Sequence, residues 1–227
     1  MFITLDRTAS DINSAMARVF GHMGIATLFS MMTAFVVGTS PTAMAVVSQG
    51  WVQIALFISV LACAFVIPVM IGAGIGALGA AALLYAFASL MGLMTSSIFV
   101  MFSMSSIFTA FMGASVLFGT MAFVGYFTKR DLSDLGALLF VALIAIIIAS
   151  IINIFIGSTL MQMVISAIAI LVFLGFTAYD TQTIRESLMD GDSYEIEILG
   201  ALNLYLDFMN LFVNLLQIIG VAPGSDD

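Results

Sequence analysis

The sequence predicts an all-α integral membrane protein with seven transmembrane helices, and three observations lead there. Of 227 residues, 63% are hydrophobic and 8% charged, and mean hydropathy is +1.23. Soluble domains are about 45–50% apolar and about 25% charged, so the charges here are too few to cover a water-soluble globule, and disorder needs the opposite composition. Second, residues 19–128 contain no Asp, Glu, Lys or Arg. A single span takes about 20 apolar residues, so this stretch folds into several. Third, the basic residues fall on one side of a seven-span arrangement.

Residues 1–19 carry Asp6, Arg7, Asp11 and Arg18, which no signal-peptide core would tolerate. Ile12, Met16, Val19 and Phe20 recur at helical spacing, so the segment reads as a cytoplasmic or interfacial helix leading into a seven-helix domain over 20–220. Span one runs from Phe20 to the break Thr39-Ser40-Pro41, and span two covers 51–71. Gly72, Gly74, Gly76 and Gly79 mark the next bend, and span three ends near Leu93. Thr95-Ser96-Ser97 and the serine-rich 103–106 form a weak break before span four, which closes at Phe127. Spans five, six and seven cover 135–156, 160–179 and 198–219, and residues 221–227 form a short acidic tail.

Arg7 and Arg18, then Lys129 and Arg130, then Arg185 all fall on one side of this arrangement, and the opposite loops have no Lys or Arg. The positive-inside rule puts that side, with the N-terminus, in the cytoplasm.

Most charges sit in loops; Asp207 does not. It lies nine residues into the last span, about 13 Å deep at 1.5 Å per residue, near the middle of a hydrocarbon core about 30 Å thick. An aspartate there costs about 2.5–3.5 kcal/mol on insertion scales. Asp180 ends span six, and the two aspartates are equidistant from position 193.5, so an antiparallel helix pair brings them to similar depth. Asn203, Asp207, Asn210, Asn214 and Gln217 are spaced 4, 3, 4 and 3, a strip about 80° wide on a helix. The last span therefore carries one polar stripe and is expected to be lodged among its neighbours.

Two adjacent carboxylates cannot both ionise freely, so a shared proton or a bound cation is expected, and hard oxygen ligands suit calcium. Two readings stand. The pair is a pH sensor and cation site, with Asp180 and Asp207 as metal ligands, or Asp207 is hydrogen-bonded packing glue supported by the asparagines.

Other features exclude function classes. Thirteen acids and five bases leave no basic patch for nucleic acid. Cys63 and His22 are each the sole residue of their kind, so no intrachain disulfide, multi-cysteine metal site or histidine cluster is expected, and His22 reads as interfacial. Glycines 72–76 lack the Lys-Ser/Thr ending of a phosphate loop, and residues 190–197 do not follow calcium-loop spacing. A serine triad motif is absent, and Lys129, the single lysine, lies in a loop, which removes a retinal site. No enzyme and no cofactor is expected.

The segments GFTAYDTQTIRE (175–186) and ALNLYLDFMNLFVNLL (201–216) resemble the signatures of the transmembrane Bax inhibitor motif (Bax inhibitor-1) family, and ARVFGHMG (17–24) is similar to its bacterial branch. The resemblance implies a seven-helix fold with the last helix central, surrounded by the other six, in a bacterial plasma membrane. It also implies a pH-sensitive calcium leak, in which the positions matching Asp180 and Asp207 form a di-aspartyl sensor at the cytoplasmic side. Some members latch that pair with a basic residue in span two; span two here has none, leaving Arg185 or a neutral donor as the candidate latch. The alternative is a non-conducting modulator of a membrane protease or of stress and cell-death machinery.

Overall fold

The computed structural model describes residues 8–191 and 194–220, so the acidic tail, residues 1–7 and part of the last turn lie outside the described residues. These form helices α1 (Ala9–Gly38), α2 (Pro41–Val47), α3 (Gly50–Gly72), α4 (Gly76–Thr95), α5 (Ile98–Met101), α6 (Met104–Phe127), α7 (Ser133–Ile156), α8 (Thr159–Asp190) and α9 (Tyr194–Ile219). Seven crossings are long and apolar enough to span a membrane, with α4 and α5 counted as one. The protein is thus a multi-pass, all-α membrane protein.

Helix ends follow their sequence signals. Thr8 and Asp11 form a capping box on α1, and Ser40, Ser103 and Ser158 cap α2, α6 and α8. Asp131 accepts from the amide and hydroxyl of Ser133 at 2.8 and 2.6 Å, which holds its carboxyl below the usual carboxylate range. Gly74 and Gly76 make the α3–α4 bend with φ of 79° and 78°, a region nearly closed to side chains with a Cβ.

Three boundaries differ from expectation. The first long helix starts at Ala9 and not near Phe20: residues 9–19 are the first turns of α1, with Ile12, Ala15, Met16 and Val19 buried in the shared core. The Ser40 cap and Pro41 nucleate an extra short helix, α2. Helix α8 continues to Asp190, well beyond residue 179, since Ile184 and Leu188 are buried in the same core.

Helix α9 packs on α1, α3, α4, α6 and α8, while α7 packs on α8. In the most apolar window of α9, 67% of residues are buried, against 11–39% in the other crossings. Tyr205 binds it to the front of the bundle: its hydroxyl meets Ser30 Oγ at 2.6 Å, and Ser30 donates to Ala88 O at 2.7 Å, joining α9, α1 and α4. The starts of α1 and α9, the α6–α7 loop and the α8–α9 turn share one end, here termed the basic end.

Small residues permit the closest crossings. A Cβ on Gly125 of α6 would collide with the backbone carbonyl of Ala178 in α8, two residues from Asp180. Gly125→Val is expected to lower stability by about 1–3 kcal/mol through overpacking, measured as a reduced unfolding midpoint in detergent. Gly119→Val on the same helix, where a Cβ meets open space, should leave the midpoint unchanged.

Candidate site: the carboxylates between the last two helices

Helices α8 and α9 form an antiparallel hairpin whose register is fixed by contacts at both ends. Near the turn, a Cβ on Gly200 would come within 3.0 Å of the Ile184 side chain. At the far end Gln217 Oε1 accepts from Gln162 Nε2 and Ser166 Oγ, both at 2.6 Å. On α8, Asp180 projects along the same helical face as Gln162, Ser166 and Ile184; on α9, Asp207 falls between the directions of Gly200 and Gln217. Both aspartates therefore lie on the faces that the hairpin buries. The register sets Asp180 level with Leu204, so Asp207 sits about 4.5 Å deeper. That offset, instead of equal depth, arises because α8 reaches Asp190 and the turn is shifted toward it.

Asp207 is 5% exposed, its Oδ2 has no hydrogen-bond partner among the described residues, and it lies within electrostatic reach of Asp180. Asp180 is half-buried. The hydroxyls beside them are already engaged: Thr177 donates to Phe173 O at 2.8 Å and Thr181 to Thr177 O at 2.6 Å. Among the described residues no group of three His, Cys, Asp or Glu is placed to hold a metal. A cation at this pair would draw its remaining ligands from backbone carbonyls or water.

The rest of the polar stripe behaves unevenly. Asn203 is exposed. Asn210 and Asn214 donate back along their own helix, to Leu206 O and Asn210 O, so neither completes the site around Asp207. Gln217 alone reaches across, in a network with Gln162, Ser166 and Asn153. Arg185 does not join the aspartates either. Its guanidinium carbon lies 5.2 Å from the centre of the Tyr126 ring, a cation–π distance, and its Nε is buried without a hydrogen bond among the described residues. Tyr126 in turn donates to Asn13 of α1. His22 is half-buried, with Nδ1 2.6 Å from the Tyr85 hydroxyl, and is not near-surface packing alone.

Sequence reasoning missed one ion pair. Arg18 Nε lies 3.0 and 2.9 Å from the two oxygens of Glu197, and its Nη2 lies 2.5 Å from Oε1. The Glu197 side chain is 3% exposed and that of Arg18 49%. This clasp joins α1 to the start of α9. Both residues looked like flanking charges; the available signal was that both flank long apolar helices at the same end of the bundle. Arg18→Met leaves a buried carboxylate unanswered and is expected to cost about 1.5–3 kcal/mol, read from the unfolding midpoint. Replacing both residues by Met should recover part of that loss, since a buried ion pair exchanged for apolar packing is often near neutral.

Comparison with known proteins agrees with this architecture. The family model described as inhibitor of apoptosis-promoting Bax1 matches residues 12–223. The inner membrane protein YbhL of Escherichia coli K12 is 37% identical over 219 residues, covering 92% of each chain. An uncharacterized protein of Deinococcus radiodurans is 34% identical over 221 residues, covering 95% of this chain and 94% of its own. A Streptococcus pyogenes membrane protein, SpyM3_0260, is 42% identical over 139 residues, about 59% of this chain and 60% of its own. With nearly its whole described length matched, the chain belongs to the Bax inhibitor-1 family of membrane proteins.

Proposed function

We propose that the protein is a pH-sensitive cation leak, with calcium as the transported ion, gated by Asp180 and Asp207. The observation that supports this reading is the buried Oδ2 of Asp207, without a hydrogen-bond partner among the described residues and within electrostatic reach of Asp180 on the neighbouring helix. An isolated charge in hydrocarbon is expensive, so this atom calls for a proton or a cation. One proton shared between the two carboxyls joins α8 to α9 by a charge-assisted hydrogen bond. With that proton lost, like charges repel; with both carboxyls protonated, the charge assistance is gone. Either change loosens the joint, and an ion reaches the pair.

The membrane is the bacterial inner membrane, which the name of the E. coli relative supports, and the basic end faces the cytoplasm by the positive-inside rule. Arg18–Glu197 and the Arg185–Tyr126 stack hold the same end together. A second reading, a non-conducting modulator of a membrane protease or of stress and cell-death machinery, draws on the apolar lining of the crevice beside α9 between α1 and α6.

Calcium uptake by the purified protein in liposomes, measured across a pH series, separates these readings. The leak gives pH-dependent uptake, and Asp207→Asn alters the flux and flattens its pH response. A variant that matches wild type in both respects removes the sensor role, and a wild-type protein that passes no ion at any pH favours the modulator.

A further inference from the structure

Helices α1 and α6 both pack along α9, yet they are not closely packed on one another. At the basic end they are joined by the hydrogen bond from Tyr126 to Asn13. Away from that tie they diverge, and the wedge between them holds two cavities of about 330 and 260 Å3 in succession. Phe208, Met209 and Phe212 of α9 form the floor, and Phe99 of α5 closes the far end. The rim residues Met31, Phe35, Met104 and Phe108 are exposed toward the surrounding membrane, so the wedge opens sideways into hydrocarbon.

Its chemistry selects the occupant. Among the described residues no Asp, Glu, Lys, Arg or His lines either cavity. The hydroxyls at its edge are spent on the protein: Thr27 donates to Met23 O, Thr95 to Met91 O, and Ser30 to Ala88 O. Apolar cavities of this kind stay dry, which excludes a water column, and a headgroup would find no partner. An empty wedge would forfeit the dispersion contacts of its walls, and lipid tails are as apolar as the leucines around them. The larger cavity alone has the volume of a small-molecule site, about 300–1,000 Å3.

We infer that the wedge between α1 and α6 is a binding site for the acyl chain of a bilayer lipid, which enters sideways and lies against α9. Phe208 and Met209 immediately follow Asp207, so the bound chain presses on the helix that carries the buried carboxylate.

The test uses the full-length protein in nanodiscs of a phosphatidylcholine carrying a photoreactive diazirine on its acyl chain, with adducts mapped by peptide mass spectrometry. Met209 is buried beneath the rim, where lipid merely surrounding the bundle does not reach, and Phe212 is half-buried beside it. Adducts on both residues are expected, beside those on the lipid-facing Phe65 and Phe155. Filling the wedge by Ile107→Trp, or covering it by Met31→Trp, should abolish the Met209 and Phe212 adducts and leave those on Phe65 and Phe155. Labelling of Phe65 and Phe155 without Met209 and Phe212 in the wild type overturns the site whether or not either variant folds. Floor adducts that persist in folded variants overturn it as well.

Discussion

The constraint on which this structure rests is that its most buried helix is also its most polar crossing. Hydrocarbon supplies no partner for a charge or an amide, so each polar group of α9 has to be answered by a neighbouring helix or by its own backbone. Glu197 is answered by Arg18 of α1, Tyr205 by Ser30, and Gln217 by Gln162 and Ser166 of α8. Asn210 and Asn214 turn back on their own carbonyls. Asp207 is the exception, with one oxygen left unanswered.

These answers are distributed unevenly along the hairpin. At the far end α8 and α9 are fastened by neutral amides and a hydroxyl, none of which titrates. Toward the basic end lie the two aspartates, with the close crossings of Gly125 on Ala178 and of Gly200 on Ile184 on either side of Asp180. The aspartates lie between those amide fastenings and the turn that joins the two helices, so the proposed gate acts on the middle of the hairpin, where its groups titrate.

Much of this was legible in the chain itself. Composition and the long uncharged stretch gave the class, and the glycine and serine breaks gave seven crossings, because bilayer thickness sets span length almost without regard to tertiary detail. The burial of Asp207 in a crossing helix was legible for a related reason: a carboxylate in an apolar run is conspicuous. What sequence could not reveal depends on which faces meet. The helical phase of the asparagines placed them with Asp207, yet an asparagine in a helix can satisfy itself one turn back, and two do. Arg18 and Glu197 looked like ordinary flanking charges, since their pairing is a property of the α1–α9 contact, 179 positions apart in the chain. The length of α8 was underestimated because its last turns are polar outside and apolar only on the face turned to the core.

The central claim is that the protonation of Asp180 and Asp207 sets the distance between α8 and α9 near the basic end. Pulsed electron resonance between spin labels at the exposed positions Thr183 and Asn203, with Cys63 replaced by serine, measures that distance in nanodiscs. The account requires two distance populations whose ratio changes with pH, and a ratio that no longer responds when Asp207 is replaced by asparagine. A single distance that stays fixed from acidic to alkaline pH would contradict it.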